Sequence, residues 1–412
     1  MGGGLAGIAA ALACADAGAS VTLFEARRQL GGATFSIERN GHLVDNGQHV
    51  ALRCCDAYLA FLRRLGSEHL LEMQPRLRIP VLFGDGRRTE LRRSNLPAPL
   101  HHAGALHRYQ PLSFRERVSA LLAANALRRL DPGDAKLDER TFGEWLREHG
   151  QSDRAIAALW DLVVLPTLNL RSEEASLALA VKVFRTGLLD TRDGADIGVP
   201  AVPLSRLHHD AALAALEAAG VDVRLGARVR HLDDLSDHDA VIVAVPHTAV
   251  ESLLPGLVDV DGLGTSPIVN VHVHFDRRVL HEPFAATIDS PLQWIFDRTA
   301  SSGVQEGQLV SVSVSSAREE HLLSVAELEE RFVPELRRLL PDASGARVLD
   351  VAVTHEPQAT FAAVPGTGRL RPGPVTKLDR VFLAGSWTDT GWPATMEGAV
   401  RSGNAAAKAA AR

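Results

Sequence analysis

The chain has 412 residues, of which 46% are apolar and 23% charged, with 34 Gly and 21 Pro; that is a folded protein, not a disordered, collagenous or small disulfide-stapled one. Its 44 Lys and Arg stand against 50 Asp and Glu, a net charge of −6, so the basic field that drives nucleic-acid binding is missing. Cys14, Cys54 and Cys55 have no spacing that closes a metal site or a disulfide framework, which fits a reducing, cytoplasmic setting with no metal.

The uncharged start, MGGGLAGIAAALACA, lacks the basic flank of a secretory signal. It is better read as a nucleotide-binding turn. Gly2, Gly4 and Gly7 form a G-x-G-x-x-G that runs into the helix-forming IAAALACADAG, and SVTLFEA then supplies a short β-branched strand ending at Glu25. Such glycines let a pyrophosphate approach a helix N-terminus, and a carboxylate ending the second strand accepts hydrogen bonds from a ribose. Only Met1 precedes Gly2, so the strand expected ahead of the turn is missing, and a start several codons upstream is expected.

The stretch Glu25-Ala-Arg27-Arg28-Gln29-Leu30-Gly31-Gly32 puts a basic pair and a glycine pair just after the ribose carboxylate, which favours FAD over NAD. His42 to His49 reads as a strand and polar turn, either reaching a flavin or closing an ordinary Asx-turn loop. A helix with Leu59, Leu62 and Leu65 at helical spacing follows.

Residues 76–195 open on a hairpin turning at Gly84-Asp85-Gly86 and continue into helices around 113–130, 142–149 and 153–164. Trp145, Trp160 and the Leu/Val run from 162 to 170 either line a greasy cavity or fill a plain helical core. After a helix closed by Gly220, the run from Ala240 to Val245 reads as a fully buried parallel strand. Residues 268–361 are strand-rich. There Val269, Val271, Val273 and Phe275 alternate with Asn270, His272 and His274, which predicts an apolar face and a solvated one. A helix is expected from about Val325 to Leu340. The strand Val381-Phe382-Leu383-Ala384-Gly385 leads through a polar turn to a terminal helix with Pro393 near its first turn and Thr395 as cap.

The pattern predicts an α/β fold: a Rossmann-like FAD-binding domain built from discontinuous segments 1–75, 196–265 and 375–412, and a second, mixed sheet-plus-helices substrate domain from 76–195 and 266–374.

The blocks GGGLAG, LFEARRQLGG, VDNGQHV, TFGEWLREHG, LWDLVVLPTLNL, PIVNVHVHFDRRV, DSPLQWIFDRT and FLAGSWTDTGWPATMEGAVRSG resemble the amine-oxidase/phytoene-desaturase superfamily of FAD proteins. The closer resemblance is to its squalene-associated desaturases, the hydroxysqualene dehydroxylases. The resemblance implies that Gly2, Gly4 and Gly7 hold the pyrophosphate, Glu25 the adenosine ribose, and Arg27 and Gly32 the region beside the phosphates. It further puts Val229 at the adenine, Gly385 and Ser386 along the ribityl and pyrophosphate portion, and Ala394, Thr395 and Met396 by the isoalloxazine. Ser386 stands where that family usually carries Asp.

The implied chemistry is reductive dehydroxylation of hydroxysqualene to squalene, in the bacterial route to hopanoids; a carotenoid-type desaturase or an amine oxidase is the alternative. The implied partners are a long-chain isoprenoid substrate, the upstream prenyl-joining enzymes, and the inner face of the cell membrane through peripheral contact. Asp45, His49, Asp289 and Asp389 are the candidate proton donors. Trp145, Trp160, Phe184, Trp294, Phe296, Trp387 and Trp392 are candidate linings of a dry tunnel that protects a cation.

Overall fold

The structure is a computed structural model that describes residues 1–412. Its cofactor half is a small parallel sheet assembled from distant pieces. Thr22–Glu25 pairs with Asp222–Leu225, Glu25 opposite Leu225, and Val241–Val243 pairs with Val381–Leu383. Met1 and Gly2 join the two ladders. The Met1 amino group donates to the Ile242 carbonyl, the Ala244 N–H donates to the Met1 carbonyl, and the Gly2 N–H donates to the Phe24 carbonyl. The first two residues thus stitch the two ladders together just ahead of the glycine helix. Of the run from Ala240 to Val245, expected to be fully buried, only Val243 is; Val241, Ile242, Ala244 and Val245 are half-buried and Ala240 is exposed.

Two helices back this sheet. The glycine helix, Leu5–Asp16, is rich in Ala and starts at Gly4, and the C-terminal helix, Met396–Ala410, crosses it at backbone contact. A Cβ on Gly403 would fall 2.1 Å from the Ala6 carbonyl oxygen, so only glycine permits that approach.

The other half is a seven-stranded sheet. Its order is Val348–Thr360, Ser266–Phe275, Gln308–Ser315, Trp294–Asp297, Phe284–Ile288, Arg78–Phe83 and Arg88–Arg92, antiparallel except where Phe284–Ile288 meets Arg78–Phe83. The helix Val325–Leu339, begun by a reciprocal Ser324–Glu327 capping box, covers one face with Leu328, Phe332 and Leu336 against Val271 and Val312.

The opposite face corrects the expectation of a solvated surface. Asn270, His272 and His274 are buried. The loop that starts at Asp45 lies over them: the Asn270 side-chain amide and the Thr354 hydroxyl both donate to the Asn46 carbonyl. His272 Nδ1 is hydrogen-bonded to Ser311 Oγ and His274 Nε2 to the Glu306 carbonyl. Alternation therefore marks a strand whose second face is roofed by the cofactor half.

Helices within 103–189 form a third body. Trp145, Trp160 and Phe184 surround Phe142 with ring centroids 5.1 to 6.1 Å apart, and the Trp160 indole N–H donates to Gln151. These aromatics fill a solid core, which settles their reading against a tunnel lining. The same core takes in Val243, Leu383 and Trp387, so the helical body packs directly on the parallel sheet.

Candidate functional site

The start of the glycine helix has no side-chain cap and no acidic residue in its first turn, so its N–H groups and positive end of the dipole are free for an anion. The glycines around it divide by role. A Cβ on Gly7 would lie 1.8 Å from the Gly2 carbonyl oxygen and one on Gly2 2.4 Å from that of Ala244; the fold itself requires both. Gly4 has φ −74°, and a Cβ there would meet only Gly32 Cα at an ordinary 3.6 Å. Nothing in the protein demands glycine at position 4. A bare backbone there leaves room for a ligand at the helix start.

Glu25 closes the adjoining strand with a buried carboxylate. Its two oxygens accept from the Gly3 N–H at 2.6 Å and the Arg27 N–H at 2.7 Å, which aims it across the glycine turn. The Gly31 N–H donates to the Gly3 carbonyl, Gly32 lies against Gly4, and the Arg27 guanidinium spans the Gly32 carbonyl and the Phe35 ring. Beyond Asp222–Leu225, the Ala227 N–H donates to the Glu25 carbonyl, and half-buried Val229 follows two residues later.

The second cluster is the turn before the C-terminal helix. Gly385 donates its N–H to Ser402 Oγ at 2.8 Å, and Thr388 Oγ1 shares a 2.6 Å hydrogen bond with that hydroxyl. The Trp387 indole donates to the Val245 carbonyl. Buried Arg371 gathers the carbonyls of Ser386, Trp387, Thr388 and Trp392, so a guanidinium organises the turn in which Ser386 stands. Thr395 Oγ1 accepts from Gly398 N–H, with Ala394 and Met396 half-buried on either side. Because the two helices cross in contact, their N-terminal ends belong to one body.

The four candidate proton donors separate. Asp45 and His49 share a narrow cleft with Gln48, Phe296 and Arg298, between the roofing loop and the large sheet. Asp45 accepts from Ser36 Oγ, the Leu204 N–H and Arg298 Nη2, the last at 2.8 Å, so its carboxylate is held in a buried ion pair. His49 can only donate through Nδ1–H to the Gly47 carbonyl, and burial pushes its pKa down, so Nε2 is an acceptor. Asp289 and Asp389 correct the expectation of a cofactor or substrate wall. Asp289 is exposed and ion-paired with Arg154. Asp389 is exposed in a turn where it accepts from the Gly391 N–H.

Among the remaining aromatics, Trp294 stacks on Phe296 with centroids 6.2 Å apart. Both Lys182, 4.7 Å from the Trp392 ring centroid, and Arg401, at 5.2 Å, make cation–π contacts with that ring. Sequence reading missed Lys182, Arg298, Arg371 and Glu397. Buried Glu397 accepts from the Ala57 and Tyr58 N–H groups and from Arg401, and burial raises its pKa. Its signal was present: it stands in the first turn of the C-terminal helix, four residues before Arg401.

A parallel sheet, an open glycine helix start and a buried carboxylate at the end of the next strand define a dinucleotide-binding oxidoreductase fold. A model of the flavin containing amine oxidoreductases matches residues 5–411, and the chain belongs to that family. Its cofactor is FAD, and the residues just described fit that group: a bare helix start for the pyrophosphate and Glu25 for a ribose. The chain is 30% identical over 430 residues to a hydroxysqualene dehydroxylase of Rhodopseudomonas palustris, covering 99% of this chain and 96% of that protein. It is 29% identical over 430 residues to the hydroxysqualene dehydroxylase of Sinorhizobium fredii, with coverage of 99% and 96%. The structure of cyclohexylamine oxidase from Brevibacterium oxydans superposes with a TM-score of 0.73 at 20% identity, covering 100% of this chain and 97% of that one, a likeness of fold.

Proposed function

We propose that this flavoenzyme replaces the hydroxyl of hydroxysqualene by hydrogen, giving squalene and water. The observation that carries the reading is the end-to-end similarity to two hydroxysqualene dehydroxylases. The pathway setting is a bacterial route to hopanoids, downstream of prenyl-joining enzymes, at the inner face of the cell membrane. No helix is long and apolar enough to cross a membrane.

Atoms balance when the carbinol carbon gains a hydride and the departing hydroxyl gains a proton. Reduced FAD, when bound, supplies the hydride. The chain supplies placement. Gly2, Gly4, Gly7, Glu25, Arg27, Gly32 and Val229 hold the adenosine and pyrophosphate end, and Gly385, Ser386, Ala394, Thr395 and Met396 the flavin end. Phe296 and Trp294 offer aromatic faces that exclude water and stabilise positive charge. His49 Nε2 accepts from the substrate hydroxyl and so orients it. As folded, Asp45 is paired with Arg298 and Asp289 and Asp389 face solvent, so the proton donor is left open among them and bound water.

Incubating the photoreduced holoenzyme with hydroxysqualene without oxygen and analysing the extracted lipid tests the reading. Squalene is expected. Unchanged alcohol overturns it, and a product with a new double bond would make the chain a desaturase.

A further inference from the structure

The helix Phe114–Leu127 has two apolar faces. Ala120, Ala123 and Leu127 are buried in the core that holds Trp145 and Trp160. Phe114, Val118, Leu121 and Leu122 recur at i, i+4, i+7 and i+8, one stripe at 100° per residue, and point the other way: Phe114 is 66% and Leu122 67% exposed. The loop leading into the short helix Ala103–His107, whose end is held by Arg117 through the His107 carbonyl, adds exposed Leu96 and Leu100. Six large apolar side chains thus face solvent on one short stretch of chain, with nothing in this molecule to cover them.

What surrounds them is basic. On the helical wheel Arg115 borders the stripe on one side and Arg117 on the other, and Arg129 lies just past the helix end. Arg115 and Arg129 are exposed and carry no ion-pair partner. The helix has one acid, Glu116, and it is turned back to Ser113 and Ser152. An apolar stripe edged by arginines matches the boundary of an anionic bilayer, where the apolar side chains enter the acyl region and the guanidinium groups meet phosphate. A second copy of the chain fits poorly, because two-fold pairing of this face would bring both sets of arginines together.

We infer that the outer face of Phe114–Leu127, with Leu96 and Leu100, is the surface that seats this protein on an anionic membrane. The inference rests on the proposed function only for the cargo, a long-chain isoprenoid drawn from that membrane. The overall charge of −6 works against anionic vesicles, so attraction to them has to come from a local patch such as this one.

The test is flotation of the FAD-loaded protein with vesicles of phosphatidylcholine alone or with about one-third phosphatidylglycerol. The native protein is expected to float with the mixed vesicles, and at least about tenfold less with the neutral ones. Phe114→Ser/Leu121→Ser/Leu122→Ser is expected to lower binding to the mixed vesicles by at least about tenfold, and Arg115→Ala/Arg129→Ala to lower it there while sparing residual binding to neutral vesicles. Retained FAD and an unchanged thermal transition show that the triple variant is folded; Leu122→Ser alone serves if it is not. Wild-type binding by these variants overturns the inference, as does a native protein that floats with neither vesicle, or a triple variant that only turns a dimer into a monomer. Flotation needs no turnover, so failure here and failure to convert hydroxysqualene in detergent are separate results.

Discussion

Asp45 and Arg298, 253 residues apart in the chain, meet at 2.8 Å with both side chains buried. Arg298 also donates to the Pro200 carbonyl, and Asp45 accepts from the Leu204 N–H. The pair therefore ties the roofing loop, the Ile197–Pro200 strand and the large sheet together at the cleft that His49 lines.

That geometry makes Asp45→Asn a stability variant first. Removing one charge strands the other in the interior, at a cost of about 3–5 kcal/mol. Urea unfolding should show that loss, and Asp45→Asn/Arg298→Met should recover much of it, because two well-packed neutral groups leave no uncompensated charge. A single variant with native stability and no turnover would instead return Asp45 to the role of proton donor.

Gly4 and Gly7 should respond in opposite ways to alanine. Gly7→Ala forces a methyl to within 1.8 Å of the Gly2 carbonyl oxygen, so the glycine helix must move, and the apo-protein should lose about 2 kcal/mol or more. Gly4→Ala meets only a 3.6 Å contact and should leave apo stability within about 0.5 kcal/mol, yet weaken FAD binding by tenfold or more, roughly. Titration of apo-protein with FAD, read by flavin fluorescence, separates the two; unchanged affinity in Gly4→Ala would show that the pyrophosphate seats elsewhere.

Glu25→Gln keeps the shape and removes the charge. The Gly3 and Arg27 N–H groups both point at this carboxylate, and an amide can accept from only one of them. Charge-assisted hydrogen bonds contribute about 1.5–3 kcal/mol each, so FAD affinity should fall by about one to two orders of magnitude, with loss of turnover that excess FAD restores. Loss of turnover at saturating FAD would place Glu25 in the chemistry rather than in cofactor retention.

Features written within a short stretch were readable from sequence: the glycine turn, Glu25 at the end of the next strand, the hairpin at Gly84-Asp85-Gly86, and the Thr395 cap. Each depends on chain neighbours. The rest depends on pieces more than a hundred residues apart. Nothing near Arg298 announces Asp45, and nothing near Met1 and Gly2 shows that their backbone bridges Ile242 and Phe24. The alternation at 269–275 identified the strand correctly but misjudged its polar face, since the roof over Asn270 and His272 comes from residues 45–49. Asp289 and Asp389 looked chemical because they sit in blocks shared with a family, while their side chains turn to solvent.

The same roof sets the acid limit of the fold. His272 is buried against Ser311 with Asp45 and Arg298 nearby, and burial lowers its pKa from 6.5 to about 4. The folded state resists protonation that the unfolded chain accepts, so stability holds above about pH 6.5 and drains as pH falls from there to about 4, where folded His272 also protonates. A shift of that size is worth about 3 kcal/mol for this residue. Burial likewise lowers His102 and His208 to about 3, and their contributions run on to lower pH. His272→Asn keeps an acceptor or donor toward Ser311 Oγ but does not titrate, so its urea midpoint should fall less steeply between about pH 6.5 and 4 than that of the native protein. Parallel curves for the two proteins would mean that His272 is accessible to protons in the folded state and that the roof over it opens.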